Sequence, residues 1–222
     1  MNELGLEIDE KVIEKLELYL DFLADSPVNL TSLEPEEFPS KIIYDSLYPL
    51  REFPIDDDFI DVGTGGGIPG LVVSITFDVG GVLLDSKRKK VELLKKFITS
   101  NGLGNLEVIW GRAEELAHDR DYREKFLFVM SRALAKMNAA LELTAPFATI
   151  GGYVLLYKGP SWKEELERSW KSLEILGLDL GDVIEYRLPT GERRSLVILE
   201  KIDRTPRRFP RRPGVPKKRP LE

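Results

Sequence analysis

The segment Asp61-Val-Gly-Thr-Gly-Gly-Gly-Ile-Pro-Gly70 constrains the fold of this chain more than any other stretch. Phe59, Ile60 and Val62 form a short β-prone run that carries one acid and then breaks into a glycine loop. Residues without a Cβ let such a loop turn sharply and bring backbone N–H groups close to a ligand. The pattern reads as the first strand, loop and helix of a nucleotide-binding α/β fold.

Two frames fit the loop. Gly65-Gly-Gly67-Ile-Pro-Gly70 satisfies the G-x-G-x-x-G fingerprint of dinucleotide sites, a match that many glycine-rich stretches meet. The frame Asp61-x-Gly63-x-Gly65-x-Gly67 fits at every position and sets a carboxylate at the carboxyl end of the strand. That carboxylate repels a pyrophosphate and attracts a ligand with a free ammonium and a sulfonium. S-adenosylmethionine is such a ligand, and it is preferred here over NAD.

The 222 residues suffice for one α/β domain with an accessory piece. No apolar run approaches the roughly 20 residues that span a bilayer. The acidic Met1–Glu10 stretch lacks the order of a signal peptide. The expectation is a cytoplasmic protein without a membrane partner. Cysteine is absent and His118 is the lone histidine, which argues against disulfides, a zinc site or a thiol nucleophile. His118 itself, in a polar stretch, reads as an exposed loop residue. The net charge of −6 hides an asymmetry: acids dominate up to Asp58, whereas the tail after Asp203 is basic until Glu222.

Apolar residues at Ile8, Val12, Ile13, Leu16, Tyr19, Leu20 and Leu23 predict a helix over 8–24, stopped by Ser26-Pro27. A second helix is expected from Pro35-Glu36-Glu37 to about Leu50. From Asp58 onward, strands are expected at 59–62, 81–85, 106–110, 126–131, 153–157, 183–187 and 196–201. Helices are expected at 69–75, 88–100, 136–147 and 161–176. The alternation implies a mostly parallel sheet of seven strands covered by helices on both faces. Pro189-Thr-Gly191-Glu predicts a closing antiparallel hairpin. The chain divides into an N-terminal helical cap (1–57), a cofactor-binding α/β domain (58–203) and a Pro/Arg/Lys-rich arm (204–222).

Further acids fall where a nucleoside needs them. Asp85 ends the second strand about 22 residues after Gly63, close to the ~20 expected of a ribose-binding carboxylate. An N-cap role for Asp85 or Ser86 on the next helix is the alternative. Past the third strand, Glu114 or Glu115 can accept from an adenine amino group, with the Ala113 backbone at the ring edge; an acidic first helical turn reads equally from the residues.

The fourth strand ends in Ser131-Arg132-Ala133-Leu134. Methyltransferases acting on exocyclic amines of adenine or cytosine usually carry Asn/Asp-Pro-Pro-aromatic here, which this chain lacks. Methylation at carbon 5 of pyrimidines needs a cysteine. Guanine N7 needs neither, because its in-plane lone pair carries no proton, so in-line positioning and suitable electrostatics suffice.

On these residues the chain resembles the bacterial small-subunit rRNA guanine-N7 methyltransferase G family, once called glucose-inhibited division protein B. The resemblance runs through Asn29-Leu-Thr31, Asp45-Ser-Leu47, the glycine loop, Leu84-Asp-Ser86 and Lys90-Val91. It continues in Ala113-Glu114, Ser131-Arg-Ala133, Lys158-Gly159 and the Pro210-Arg…Gly214-Val-Pro-Lys…Pro-Leu221 tail. It implies a class I S-adenosylmethionine-dependent methyltransferase of Rossmann-like fold, acting without metal or covalent intermediate and leaving S-adenosylhomocysteine. The implied target is N7 of one guanine in the 530 loop of 16S rRNA, as free rRNA or in a 30S particle, and a monomer suffices. Cofactor contacts are implied at Gly63, Ile68, Ala113, Glu114 and Arg132, joining Asp61, Gly65, Gly67 and Asp85 from the reading above. Asp45, Arg132 and Lys158 are the candidates to contact the target base, and Asn29 and Thr31 to line the substrate side. One departure is visible: the family usually has Arg-His where this chain has Lys41-Ile42.

The tail suits an RNA substrate. Its prolines oppose helix and strand, predicting an extended arm with splayed charges at Arg207, Arg208, Arg211, Arg212, Lys217 and Lys218. Such an arm binds phosphates with a steep salt dependence, and Phe209 can stack on a base. A solubilising terminus is the alternative. Three other readings stand beside the leading one. They are a class I methyltransferase of another RNA or a small molecule, an NAD-dependent oxidoreductase, and an RNA-binding protein without activity.

Overall fold

A computed structural model describes residues 4–6 and 8–221. The part of the acidic N-terminal stretch at 1–3 and 7, and the terminal Glu222, lie outside them. Helix α1 (Glu10–Ala24) begins at Asp9, whose carboxylate caps it by accepting the Lys11 amide at 2.8 Å. Its apolar stripe buries Leu16, Tyr19 and Leu23. The expected second helix is helical but irregular: a 3₁₀ turn (Pro35–Glu37), a π segment (Pro39–Tyr44), one α turn, α2 (Asp45–Leu47), and a 3₁₀ end (Tyr48–Arg51). Prolines at 35, 39 and 49 cannot donate to a regular ladder, so the hydrogen-bond spacing changes along the segment.

The sheet has seven strands: β1 (Phe59–Val62), β2 (Gly81–Asp85), β3 (Leu106–Trp110), β4 (Phe126–Arg132), β5 (Ala148–Lys158), β6 (Leu178–Arg187) and β7 (Arg193–Lys201). They lie in the order β3-β2-β1-β4-β5-β7-β6. All pairs are parallel except β5–β7 and β6–β7, so the expected antiparallel hairpin closes the sheet. The first three strands match the predicted limits. The later ones run longer, because β6 and β7 pair beyond their apolar stretches.

The helices α3 (Gly70–Phe77), α4 (Arg88–Ser100), α5 (Ala113–Leu116), α6 (Met137–Thr144), α7 (Trp162–Glu167) and α8 (Trp170–Leu176) connect the strands. The single helix expected over 161–176 is two. At the break the buried Ser169 hydroxyl donates to the Glu165 carbonyl at 2.6 Å. Pro146 turns the end of the expected 136–147 helix into a 3₁₀ turn. Alternating strand side chains build a core on each face. Phe59 and Leu83 join α1, α3 and α4 on one side; Ile60, Val62 and Leu84 join α6 and α8 on the other. No helix among the described residues is long and apolar enough to cross a membrane.

The tail corrects the expectation of a splayed arm. Phe209 is buried in the second core, and a short helix, α9 (Val215–Lys218), forms near the end. The Arg123 guanidinium donates to the carbonyls of Thr205 at 2.7 Å and Phe209 at 3.0 Å. Arg211 grips the fully buried Glu142 carboxylate, with Nη2 2.6 Å from Oε2 and Nε 2.9 Å from Oε1. A proline-rich segment has few amide donors of its own to satisfy. Partners reaching its carbonyls therefore suffice to dock it without regular structure.

Candidate functional site

The strand order reverses between β1 and β4, and in such sheets a ligand crevice opens at the carboxyl ends of the strands beside that point. The glycine loop sits there. Its backbone takes left-handed angles at Gly63 (φ 80°), Gly65 (φ 60°) and Gly67 (φ 103°), which side chains with a Cβ rarely adopt. Gly66 is required for another reason: a Cβ there would lie 3.1 Å from Leu23 Cδ2 and 3.2 Å from the Leu30 carbonyl. The N-terminal cap therefore packs directly on the loop. Tyr19 donates its hydroxyl to the Gly66 carbonyl at 3.0 Å, and Lys90 Nζ donates to the Leu30 carbonyl at 2.9 Å. Asn29, exposed, and Thr31, half-buried, flank Leu30 at this edge of the crevice.

Asp61 lies beneath the loop, fully buried. Its Oδ2 accepts the Thr64 hydroxyl at 2.7 Å and the Gly70 amide at 2.9 Å, which fixes both ends of the loop. Its Oδ1 is buried without a hydrogen-bond partner among the described residues. Burial raises the carboxyl pKa to about 6, against the opposing bonds from Thr64 and Gly70. An orphaned anionic oxygen at the end of β1 fits a cationic ligand group. Asp85 accepts the Gly65 amide at 2.9 Å through Oδ2 and the Lys87 amide at 2.7 Å through Oδ1. It thus supports the loop and also steadies the entry to α4, in place of a side-chain cap on that helix.

A cleft of about 100 Å3 opens past these strand ends, lined by Gly63, Asp85, Ala113, Glu114, Leu134 and Lys217 among others. It brings together four of the predicted cofactor residues: Gly63, Asp85, Ala113 and Glu114. Gly65, Gly67 and Ile68 shape the loop behind it, and Arg132 stands apart. Glu114 is the buried acid of its pair, whereas Glu115 is exposed. Ala133 takes a left-handed φ of 54°, and the turn carries Leu134 over Gly63, 2.6 Å from where a Cβ would sit. A larger cavity, about 330 Å3, is an apolar groove between α1 and the π segment, away from this chemistry.

The base-contact candidates divide. Arg132 Nη1 is 3.2 Å from Asp45 Oδ2 and donates to the Lys41 carbonyl at 2.6 Å. The buried Asp45 carboxylate also accepts the Tyr186 hydroxyl at 2.7 Å, and burial, then Asp45, pushes the Tyr186 pKa up. Lys158 is elsewhere, paired with Glu165 at 2.9 Å and donating to the Ala135 carbonyl at 3.0 Å. It secures the loop after β4 rather than presenting a free ammonium. At the point of departure, Lys41 bridges Glu37 at 2.6 Å and Glu192 at 2.8 Å, and bonding from Lys41 holds Glu192 at about 2. Ile42 is wholly core.

The family model described as "GidB: rRNA small subunit methyltransferase G" matches residues 12–194. A Thermotoga neapolitana protein named ribosomal RNA small subunit methyltransferase G is 41% identical over 223 residues, covering 100% of this chain and 96% of that protein. This chain belongs to the rRNA small subunit methyltransferase G family. A Pseudothermotoga lettingae member is 39% identical over 220 residues, covering 99% of this chain and 96% of its own. A crystal structure of a SAM-dependent methyltransferase from Aquifex aeolicus shares the fold. Its TM-score is 0.55 at 17% identity, over 86% of this chain and 99% of that one.

Among the RNA-contact candidates in this family member, Arg207, Arg208, Arg212, Lys217 and Lys218 are exposed. Arg211 is corrected: its guanidinium is committed to Glu142 and to the Arg219 carbonyl at 2.7 Å. Phe209, buried, is not available to stack on a base. Sequence reading missed the tail's part in the site. The Gly214 amide donates to Glu114 Oε1 at 2.9 Å, and no periodicity signals a contact across 100 residues. It also missed Trp110, an exposed ring beside the cleft whose Nε1 donates to the Ser86 carbonyl at 3.1 Å and over which Arg88 lies at 5.4 Å. Among the described residues no group of three or more metal-ligating side chains occurs.

Proposed function

We propose that the chain methylates small-subunit rRNA with S-adenosylmethionine, at N7 of one guanine in the 530 loop. Family membership over nearly the whole chain is the observation that carries this reading. Several residues fit the cofactor. Asp85 and the Ala113–Glu114 pair, which line the cleft, suit its ribose hydroxyls and adenine edge, and the Asp61 carboxylate, buried beneath the glycine loop, supplies a negative charge suited to its ammonium. Bound S-adenosylmethionine supplies an electrophilic methyl on a sulfonium.

What the protein's residues must do is then modest. N7 carries no proton, so no general base is needed. The acids at the cleft are in fact engaged in shaping it: Asp85 by two amides and Glu114 by one. Arg132 at the end of β4 and Asp45 of α2 hold each other at 3.2 Å, and in this reading that rigid pair faces the target base. Arg207, Arg208, Arg212 and Lys218 offer cations to phosphates. The substrate is free rRNA or a 30S assembly particle, the protein works as a monomer in the cytoplasm, and residues 1–57, 58–203 and 204–222 serve as cap, catalytic domain and RNA-contacting arm.

Incubating the protein with methyl-labelled S-adenosylmethionine tests the reading, with unmodified 16S rRNA and 30S particles as parallel acceptors. Label in either RNA supports it. Label confined to small molecules or protein contradicts it.

A further inference from the structure

The C-terminal arm is basic, which explains its fit to RNA but not why it enters the cleft. Its anchor is deep: Phe209 in the core, Arg211 on fully buried Glu142, and His118 Nε2 2.9 Å from the Pro210 carbonyl. Beyond the anchor the chain turns at Gly214, whose φ is 81°, and runs across the mouth of the cleft as α9. There the Gly214 amide holds Glu114 Oε1 at 2.9 Å, and Lys217 lines the same cleft as Asp85 and Glu114. Two more bonds fix this end, from Arg211 Nη2 to the Arg219 carbonyl at 2.7 Å and from the Ser172 hydroxyl to the Leu221 carbonyl at 2.9 Å.

We propose that residues 214–218 are a wall of the cofactor site, with Gly214 positioning the Glu114 carboxylate and Lys217 contacting the adenosine half of the ligand. The proposal rests on the cofactor reading above. The geometry argues for it in two ways. The Gly214 bond is the only hydrogen bond the Glu114 side chain makes to described residues, so the arm alone sets the orientation of that acid while leaving Oε2 for a ligand donor. The cleft is also narrow, about 100 Å3 against the roughly 300 Å3 at the lower end for small-molecule sites, and Gly214 and Lys217 of the arm line it together with Leu134 and Leu143. Because exposed Arg212 and Lys218 flank these contacts, RNA held by the arm acts on the same short segment that touches the cofactor.

Hydrogen–deuterium exchange on the full chain tests the wall, with and without saturating S-adenosylhomocysteine, beside calorimetric titration of that ligand. Slowed exchange over 214–219 is expected. Lys217→Met should weaken binding about fivefold, and a chain ending at Pro213 about tenfold or more, with unliganded thermal unfolding of the exposed Lys217 variant unchanged. Binding that protects the glycine loop but leaves exchange over 214–219 unchanged overturns the arm assignment alone, whether or not the shortened chain folds. Failure of the wild-type chain to bind S-adenosylhomocysteine removes the cofactor reading, and the proposal with it.

Discussion

Asp61 Oδ2 and the amide of Gly70 are 2.9 Å apart, a bond that ties the end of β1 to the start of α3 and closes the glycine loop from beneath. The same carboxylate leaves Oδ1 buried and without a hydrogen-bond partner among the described residues, and burial raises the pKa to about 6. A folded-state pKa above the unfolded one means that the folded chain holds the proton more tightly. The associated stability is present below about pH 4 and is lost as pH rises through about 6, amounting to roughly 3 kcal/mol at most. Asp61→Asn, which cannot ionise, should therefore gain on the wild type by about 2–3 kcal/mol between about pH 4 and 7 in denaturant unfolding. S-adenosylhomocysteine affinity should rise over the same range in the wild type and stay flat in the variant.

Arg132 and Asp45 form a pair with little exposure, and among the described residues the Asp45 carboxylate keeps Tyr186 and the more distant Arg194, at 3.8 Å, if the arginine is removed. Arg132→Met should cost about 2–4 kcal/mol in chemical denaturation, since it strands a buried carboxylate. The Arg132→Met/Asp45→Asn double variant should cost less than the sum of the two single changes. Methyl transfer should fall in both, measured at saturating cofactor.

Gly66 and Gly104 separate packing from flexibility. A Cβ on Gly66 meets Leu23 and Leu30 at 3.1–3.2 Å, whereas one on Gly104 meets nothing within 4 Å. Gly66→Ala should destabilise by about 1–3 kcal/mol and disturb the seat of the N-terminal cap on the loop. Gly104→Ala should leave the unfolding midpoint almost unchanged.

Adjacent arginines of the arm should behave oppositely. Glu142→Gln, which breaks the pair with Arg211, should cost about 3 kcal/mol of stability. Arg212→Ala, at an exposed position, should leave stability within about 0.5 kcal/mol. It should weaken RNA binding and make the slope of log affinity against log salt shallower by about one. Filter binding across a salt series with unlabelled rRNA reads both effects.

What was legible in the sequence follows physical range. The first three strands and α4 were readable to the residue, because alternation, a helical stripe and glycine punctuation are local signals. Asp61, Asp85 and Glu114 were readable as acids at strand ends, although the supporting bonds from Gly65 and Gly70 to the first two were not. Acids in the first turn predict one helix from Pro35 to about Leu50, whereas prolines at 35, 39 and 49 break its ladder into 3₁₀, π and α pieces. The arm was read as splayed because composition describes a segment and not its partners: Glu142, Arg123 and Glu114 lie 69–100 positions away or are matched only in the folded chain. The commitment of Arg211 to Glu142 is of that kind, whereas Lys158 and Glu165, seven positions apart, meet because the chain turns from β5 into α7.

The most direct test of the account is to map the modified nucleotide. Unmodified 16S rRNA or 30S particles treated with the protein and S-adenosylmethionine would be reduced with borohydride, cleaved with aniline and read by primer extension. One new cleavage at a guanine of the 530 loop is the result the account requires. Incorporated methyl label without borohydride-dependent cleavage at any guanine would contradict it.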